Sequence, residues 1–405
     1  MSPTRIQESF QGRRCLVTGG TGFIGGRLSE VLAGSLGAKV RLLVRNLAQA
    51  SRVARQPVEL VRGDVAEAGD VERACEGVDF IFHCAYGNQG NVVAQRRVTV
   101  GGTENVCLAA RKHGAKRVVH VSTVAVYGET RPGDLDESAP RAHSGDAYAD
   151  TKLDAELLVL EEAKKGLPAA VLQPTVVYGP WGPAWTVRIL NDLSTGRVIL
   201  VDGGQGLCNP VYVDDVVQAM LLAALEKGAV GEHFLVSGPA PVTWKEFYSA
   251  FEGVLGFTST VSLSAAETLR LFERRFGKKG LLQEGLAILR ESPAHRQRIK
   301  RSREIQFLLR VGRSLVPSGA RRSVKQRLKG GAGTSASPAR TDGEKPIQPM
   351  GPGGIRLSLA RTRVRIDKAR RILGYEPAFD FPSGMQRVGE WAHWANLARN
   401  GASGR

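Results

Sequence analysis

The run Arg14-Cys-Leu-Val-Thr-Gly-Gly-Thr-Gly-Phe-Ile-Gly-Gly26 leaves few folds open to this chain. Cys15-Leu16-Val17 reads as a short parallel strand, buried on both faces. Gly19, Gly22 and Gly25 punctuate a tight turn after it, and Arg27 to Leu36 reads as a helix. The spacing has a physical use. A first glycine permits the sharp turn, a second lets backbone approach an anion, and a third lets the helix pack on the strand. The helix then presents free N–H groups and the positive end of its dipole to that anion. A dinucleotide pyrophosphate is the ligand this arrangement suits, with Gly19, Gly22, Phe23, Ile24 and Gly25 around it.

The stretches that follow repeat the theme. Lys39 to Arg45, Val58 to Arg62, Asp79 to Phe82 and Arg117 to Val121 read as strands two to five. Helical patterns run through Val71 to Cys75 and Val98 to His113. A further helix opens near Tyr148 and runs to Lys165, and Ala169 to Gln173 is another strand. Strand and helix alternate at crossover spacing, which predicts an α/β fold with a Rossmann-type doubly wound parallel sheet over residues 1–180. Beyond Pro174 the alternation loosens. Helices at Trp185 to Ser194, Asp214 to Leu225 and Thr243 to Leu255, with strands at Val198 to Val201 and His233 to Val236, predict a smaller substrate-binding region over 181–264.

From Ala265 the texture changes. The formal charge of +17 is unevenly placed: the chain up to Ser264 is near neutral, and the excess follows it. Residues 265–365 read as a basic helical insertion, with helical patterns at Leu269 to Phe276, Leu281 to Leu289 and Glu304 to Val316. Gly330 to Gly354 reads as a flexible linker. Residues 366–405 return to the substrate region through Asp367 to Gly374 and the amphipathic Gly384 to Leu397. The polar Met1 to Gly12 predicts no secretory leader, and no apolar run is long enough to span a bilayer. The five scattered cysteines read as buried thiols of a reducing compartment, with no metal site. A cytoplasmic protein is expected.

Two more patterns suggest chemistry. The fifth strand ends in Ser122-Thr123-Val-Ala-Val-Tyr127-Gly128, and the next helix carries Tyr148-Ala-Asp-Thr-Lys152. Positions i and i+4 share a helix face, so Tyr148 and Lys152 point into one site. An ammonium beside a phenol lowers its pKa toward working pH. Such a tyrosine can pass a proton to or from an alcohol or carbonyl oxygen that the Thr123 hydroxyl holds. With a dinucleotide at the same sheet edge, these parts suit hydride transfer at a secondary alcohol or ketone.

On these motifs the sequence resembles the extended short-chain dehydrogenase/reductase superfamily, and within it the NAD-dependent epimerase/dehydratase family. The resemblance covers Arg14 to about Gly256 and resumes from about Asp367 to Trp394. Supporting marks are Gly63-Asp64-Val65, His83-Cys84-Ala85, Gly102-Thr103, Asp136-Glu137-Ser138, Gln173 to Pro180, Asn209 to Asp215 and Leu373 to Pro377. The resemblance implies that Thr123, Tyr148 and Lys152 are the catalytic set, Lys152 also touching the ribose. It implies that Asp64 and Val65 contact adenine, Ala85 lies beside the nicotinamide ribose and Pro174 starts the segment lining the nicotinamide. Tyr178 and Asn209 lie toward substrate on this reading, with packing and turn roles left open for both.

The departures bear on substrate. Thr99 stands where the family usually has Asn, Cys208 where nucleotide-sugar members often carry a phosphate-binding Arg, and Val124 where sugar 4,6-dehydratases carry an acid. Asn-Pro-Val-Tyr-Val is closer to the 3β-hydroxysteroid dehydrogenase-like branch. Val44 is followed by Arg45 and Asn46 with no acid, so the expected cofactor is NAD(P), leaning to NADP through Arg45. The expected function is hydride transfer at a secondary alcohol or ketone, of a nucleotide sugar in an epimerase. An NADP(H)-dependent reductase, a 3β-hydroxysteroid dehydrogenase-like enzyme and a cofactor-binding scaffold without catalysis stay open. Partners are a small-molecule substrate, with a homodimer left open. The insertion is read first as a solvated, lineage-specific segment, next as a peripheral contact for anionic membrane, and last as an arm for nucleic acid, since aromatic residues are few there.

Overall fold

The computed structural model describes residues 2–128, 132–277 and 345–398. Its centre is a sheet of β1 (Arg14–Thr18), β2 (Lys39–Val44), β3 (Val58–Arg62), β4 (Phe80–His83), β5 (Arg117–Val121), β6 (Ala169–Pro174) and β7 (His233–Val236). In space the order is β7-β6-β5-β4-β1-β2-β3, and every pairing is parallel. Such strands must be apolar on both faces, and β5 is buried along its whole length. Val17, Leu42, Phe82 and Val119 face the helices Phe23–Glu30 and Val213–Leu225. Leu16, Ile81 and Val118 face the helices Ala68–Cys75, Gly102–Lys112 and Ala147–Lys164. The winding direction reverses between β1 and β4, and open α/β sheets take their ligands in the crevice at that reversal.

Several expected boundaries move. The helix after the glycine turn starts at Phe23, four residues early, because Gly22 caps it. The expected Val98 helix begins at Val92 and passes through a π-turn at Arg97–Gly101 before Gly102–Lys112. A division at residue 180 does not describe the sheet. Val213–Leu225 packs on it and β7 extends it, so both belong to the nucleotide-binding body. Their short, apolar texture reads the same in a small layer as in a central sheet; only the parallel pairing to β6 separates the two.

The smaller layer joins the helices Arg188–Thr195, Trp244–Leu255 and Phe381–Trp394 over Leu193, Phe247, Phe251 and Val388. A capping box of Thr243 and Glu246 starts the second of these. Residues 265–277 are helical, and the patterns at Leu281 to Leu289 and Glu304 to Val316 lie outside the described residues, as does most of the linker. Its last part is packed. Ile347 bridges to Arg197, and Pro352–Leu359 forms a helix that buries Ile355. Among its described glycines, Gly354 serves close approach, since a Cβ there would lie 2.7 Å from Met350 Cγ, while one on Gly353 would meet nothing within 4 Å. No described helix is long and apolar enough to cross a membrane.

The C-terminal return is tied in at several points. Thr362–Val364 pairs with Gly133–Leu135, and the Tyr375 hydroxyl donates to Ser237 O at 2.9 Å. The buried Asp215 carboxylate accepts from Ala378 N (2.7 Å) and Phe379 N (3.3 Å). Burial still pushes this carboxyl up from 3.8 to about 6. An acid raised in the folded state contributes stability that is complete below its unfolded pKa. That contribution is lost as pH rises through about 6. We expect wild type to lose about 2 kcal/mol of unfolding free energy relative to Asp215→Asn between pH 4.5 and 7.5. Urea unfolding of both proteins across that range measures it, and parallel pH curves would sink the expectation.

Candidate active site

Gly19 follows β1 with φ +70, and Gly22 N donates to Gly19 O at 2.9 Å to close the turn. A Cβ on Gly19 would lie 2.8 Å from Ala85 N, and one on Gly25 would lie 2.5 Å from Gly19 O. Both glycines are therefore forced by backbone on the far side. Gly26 N is the first amide to donate within the helix, to Gly22 O, so the amides of Phe23, Ile24 and Gly25 precede the intrahelical ladder. This cradle, with no side chain in the way, fits a pyrophosphate.

Ala85 leaves β4 directly opposite, its amide 3.4 Å from Thr18 Oγ1. Thr123 leaves β5 next door, 9% exposed. Its hydroxyl accepts from Ala125 N at 3.2 Å and stands near enough to the Tyr148 phenol to favour the phenolate. Asp146 caps the helix Ala147–Lys164 through Ala149 N at 2.8 Å, which sets where Tyr148 and Lys152 emerge. Tyr148 is 39% exposed, yet the protein around it pushes the phenol up to about 12, with Thr123 pulling the other way. The expected lowering by Lys152 is not what the geometry produces. Lys152 is buried, its ammonium donates to Val121 O at 2.5 Å, and burial holds its pKa down to about 8. At neutral pH the pair is a protonated phenol beside an ammonium.

At the other end of the crevice Arg45, Arg62, Gly63, Asp64 and Asp70 line a cleft of about 390 Å³. Asp70 is held low by the amide of Asp64 and by Arg73, which neutralises it. Neither Arg45 nor Arg62 has a carboxylate partner among the described residues. Val65 is buried, its carbonyl accepting from Asn105 Nδ2 at 2.9 Å. Pro174 ends β6 beside Val236.

Tyr178 and Asn209 are not in the crevice. Tyr178 is 1% exposed, and its hydroxyl donates to Phe381 O at 3.4 Å. A Cβ on Gly384 would lie 2.0 Å from that oxygen, so the phenol fills the gap which the glycine leaves in the C-terminal helix. Asn209 uses both ends of its amide on the returning strand, donating to Thr362 O and accepting from Val364 N, each at 2.9 Å. Packing and turn roles, left open above, account for both. Cys208 is buried as well.

Three features escaped the motifs. Tyr86 stands 40% exposed at the mouth of the crevice, its ring 5.6 Å from that of Tyr148. It directly follows His83-Cys84-Ala85, so its place past the end of β4 was the available signal. Arg62, the last residue of β3, sits across from Arg45 for the same reason. Behind the site, the buried Glu156 accepts from Ser122 (2.6 Å) and Gln173 (2.8 Å) and pairs with Arg141. Its side chains come from separate elements, so no local pattern in the sequence marks that network.

The chain matches the NAD dependent epimerase/dehydratase family over residues 15–237. It is 34% identical over 254 residues to a 4-hydroxy-2-methyl-3-oxo-4-farnesyl-3,4-dihydroquinoline-1-oxide ketoreductase of Stigmatella aurantiaca, covering 61% of this chain and 75% of that one. It is 31% identical over 253 residues to a 2-alkyl-3-oxoalkanoate reductase of Stenotrophomonas maltophilia, covering 60% and 76%. The solved structure of a UDP-glucuronic acid 4-epimerase from Bacillus cereus, in complex with UDP-glucuronic acid and NAD, is alike with a TM-score of 0.63. That likeness covers 94% of this chain and 99% of the other at 16% identity, and is one of fold.

Proposed function

The chain belongs to the NAD-dependent epimerase/dehydratase family of extended short-chain dehydrogenases/reductases, and from that membership we propose that it reduces a ketone on a largely apolar substrate with NADPH. The observation that carries the reading is the placement of the Tyr148 phenol near Thr123 at the end of β5, one helical turn from the Lys152 ammonium that sits on Val121 O. A protonated phenol can donate to the carbonyl oxygen as hydride transfer makes it an alkoxide, which is a far stronger base than phenolate. Bound NADPH would supply hydride to the carbonyl carbon. Tyr148 would give its proton to the carbonyl oxygen, Thr123 would hold that oxygen, and Lys152 would hydrogen-bond the cofactor ribose. The alcohol forms with one hydride and one proton taken up.

The substrate class draws on the two bacterial reductases, whose names specify ketones on apolar skeletons. Buried Cys208 and the occupied amide of Asn209 leave no charged or free polar group at the positions where a nucleotide-sugar phosphate would be sought. The exposed rims of Tyr86 and Tyr148 favour apolar contact at the mouth. To test this, NADPH oxidation is followed with a 2-alkyl-3-oxo ester and, separately, with UDP-glucose. Oxidation matched by alcohol formation is expected with the ester alone. Interconversion of the UDP-sugar by protein that retains NAD, with no ketone reduced, would overturn the reading in favour of an epimerase.

The cofactor choice rests on Arg45 and Arg62, two cations without carboxylate partners among the described residues, where an adenosine 2′-phosphate would lie. Arg45→Asp should weaken NADPH binding by about 10- to 100-fold and leave NADH binding unchanged or tighter. Fluorescence titration of both cofactors against both proteins decides this. An unchanged preference would remove Arg45 from the cofactor site.

A further inference from the structure

We propose that Tyr86 is a positioning residue whose aromatic face serves as the counter-charge that holds the Lys152 ammonium in the site. The Lys152 Nζ lies 5.5 Å from the centroid of the Tyr86 ring, over its face. The same ring meets Tyr148 edge-on, with planes at 69°. One side chain therefore touches both proton-handling groups.

The surroundings show why a ring is needed. From β4, His83 and Cys84 face the amine; from β5, His120 does; from its own helix, Glu156 does. Burial keeps both imidazoles neutral and the thiol protonated. The Glu156 charge is answered by Arg141 and by hydrogen bonds from Ser122 and Gln173. Beside the residual pull of Glu156, the Val121 carbonyl and the negative face of Tyr86 favour the ammonium. Tyr86 is itself fixed by its neighbour. Gly87 N donates to Thr99 Oγ1 at 2.9 Å, at the π-turn of the helix that follows, and a Cβ on Gly87 would lie 2.6 Å from Gln95 O. Thr99, where the resembled family usually has Asn, here anchors the loop that bears the ring.

The consequence for proton transfer rests on the ketone-reduction reading; the pairing of ring and ammonium does not. The test reads Lys152 directly. The 13Cε resonance of Lys152 in full-length protein, assigned by its loss in Lys152→Met, is followed from pH 6 to 11. Wild type and Tyr86→Phe should titrate together near pH 8. Tyr86→Leu, and pentafluorophenylalanine at position 86, should titrate about one pH unit lower, because each removes the negative ring face that favours the charged amine. A ring that merely fills space would leave the fluorinated variant with the wild-type midpoint, and that result overturns the proposal. Should Tyr86→Leu fail to fold by circular dichroism, the fluorinated variant decides alone. Protein that shows the shift but reduces no ketone would sink the functional reading and keep this one. Ketone reduction with no shift would do the reverse.

Discussion

Tyr148→Phe should lower turnover of a ketone by a factor on the order of 100 or more and leave NADPH affinity within about twofold of wild type. The substitution removes one oxygen and keeps the ring, so the edge contact with Tyr86 and the course of the helix survive. What is lost is the proton donor that stands near Thr123. Thr123 can still hold a carbonyl oxygen by hydrogen bond but is too weak an acid to replace the phenol. Steady-state rates and cofactor titration on the same preparation separate the two effects. Near-normal turnover in the Phe protein would mean that another group donates the proton.

A loss of about 100-fold in nicotinamide cofactor affinity is expected of Gly19→Ala. Gly19 has φ +70, where a Cβ is strained by itself, at a cost of about 1–3 kcal/mol. The methyl would also meet backbone, Ala85 N at 2.8 Å and Cys84 C at 2.9 Å, and neither can swing aside as a side chain would. The turn must open, which moves Gly22 and the first amides of the helix away from the anion. Gly12→Ala is the control. Gly12 has φ +72 but nothing within 4 Å of its Cβ, so it carries the strain without the collision. If Gly19→Ala binds cofactor within about threefold of wild type, the cradle is not where the pyrophosphate sits.

The sheet was legible because parallel strands buried on both faces leave continuous apolar runs, as in Cys15 to Val17 and Val118 to Val121. The register of helix starts was less so. Phe23 became the first helical residue through a cap with no side-chain hydrogen bond, and the π-turn at Arg97–Gly101 leaves no periodic trace. The proposed set of Thr123, Tyr148 and Lys152 was readable from spacing along one strand end and one helix. Tyr86 was not, since its role comes from standing across from Tyr148 in space. Tyr178 and Asn209 show the opposite failure. Each sits in a run that resembles the family, yet its partners are Phe381, Thr362 and Val364. Those partners are far along the chain, and no local pattern announces them. The phenol pKa was weighed from a charge four residues away, and the spacing carries no trace of the burial of Lys152 or of the groups around Tyr148.

Those distant partners set a clock on the ribosome. The amide of Asn209 bonds to residues 153 and 155 positions later, and the hydroxyl of Tyr178 to one 203 positions later. At about 5–20 residues per second, the first of these partners is synthesised roughly 10–30 s after Asn209. During that interval β1 to β7 can pair, but Tyr178, Phe247 and Phe251 lack the helix Phe381–Trp394 that covers them. The nascent chain thus passes through a stage with a finished nucleotide-binding sheet and an uncovered aromatic layer beside it.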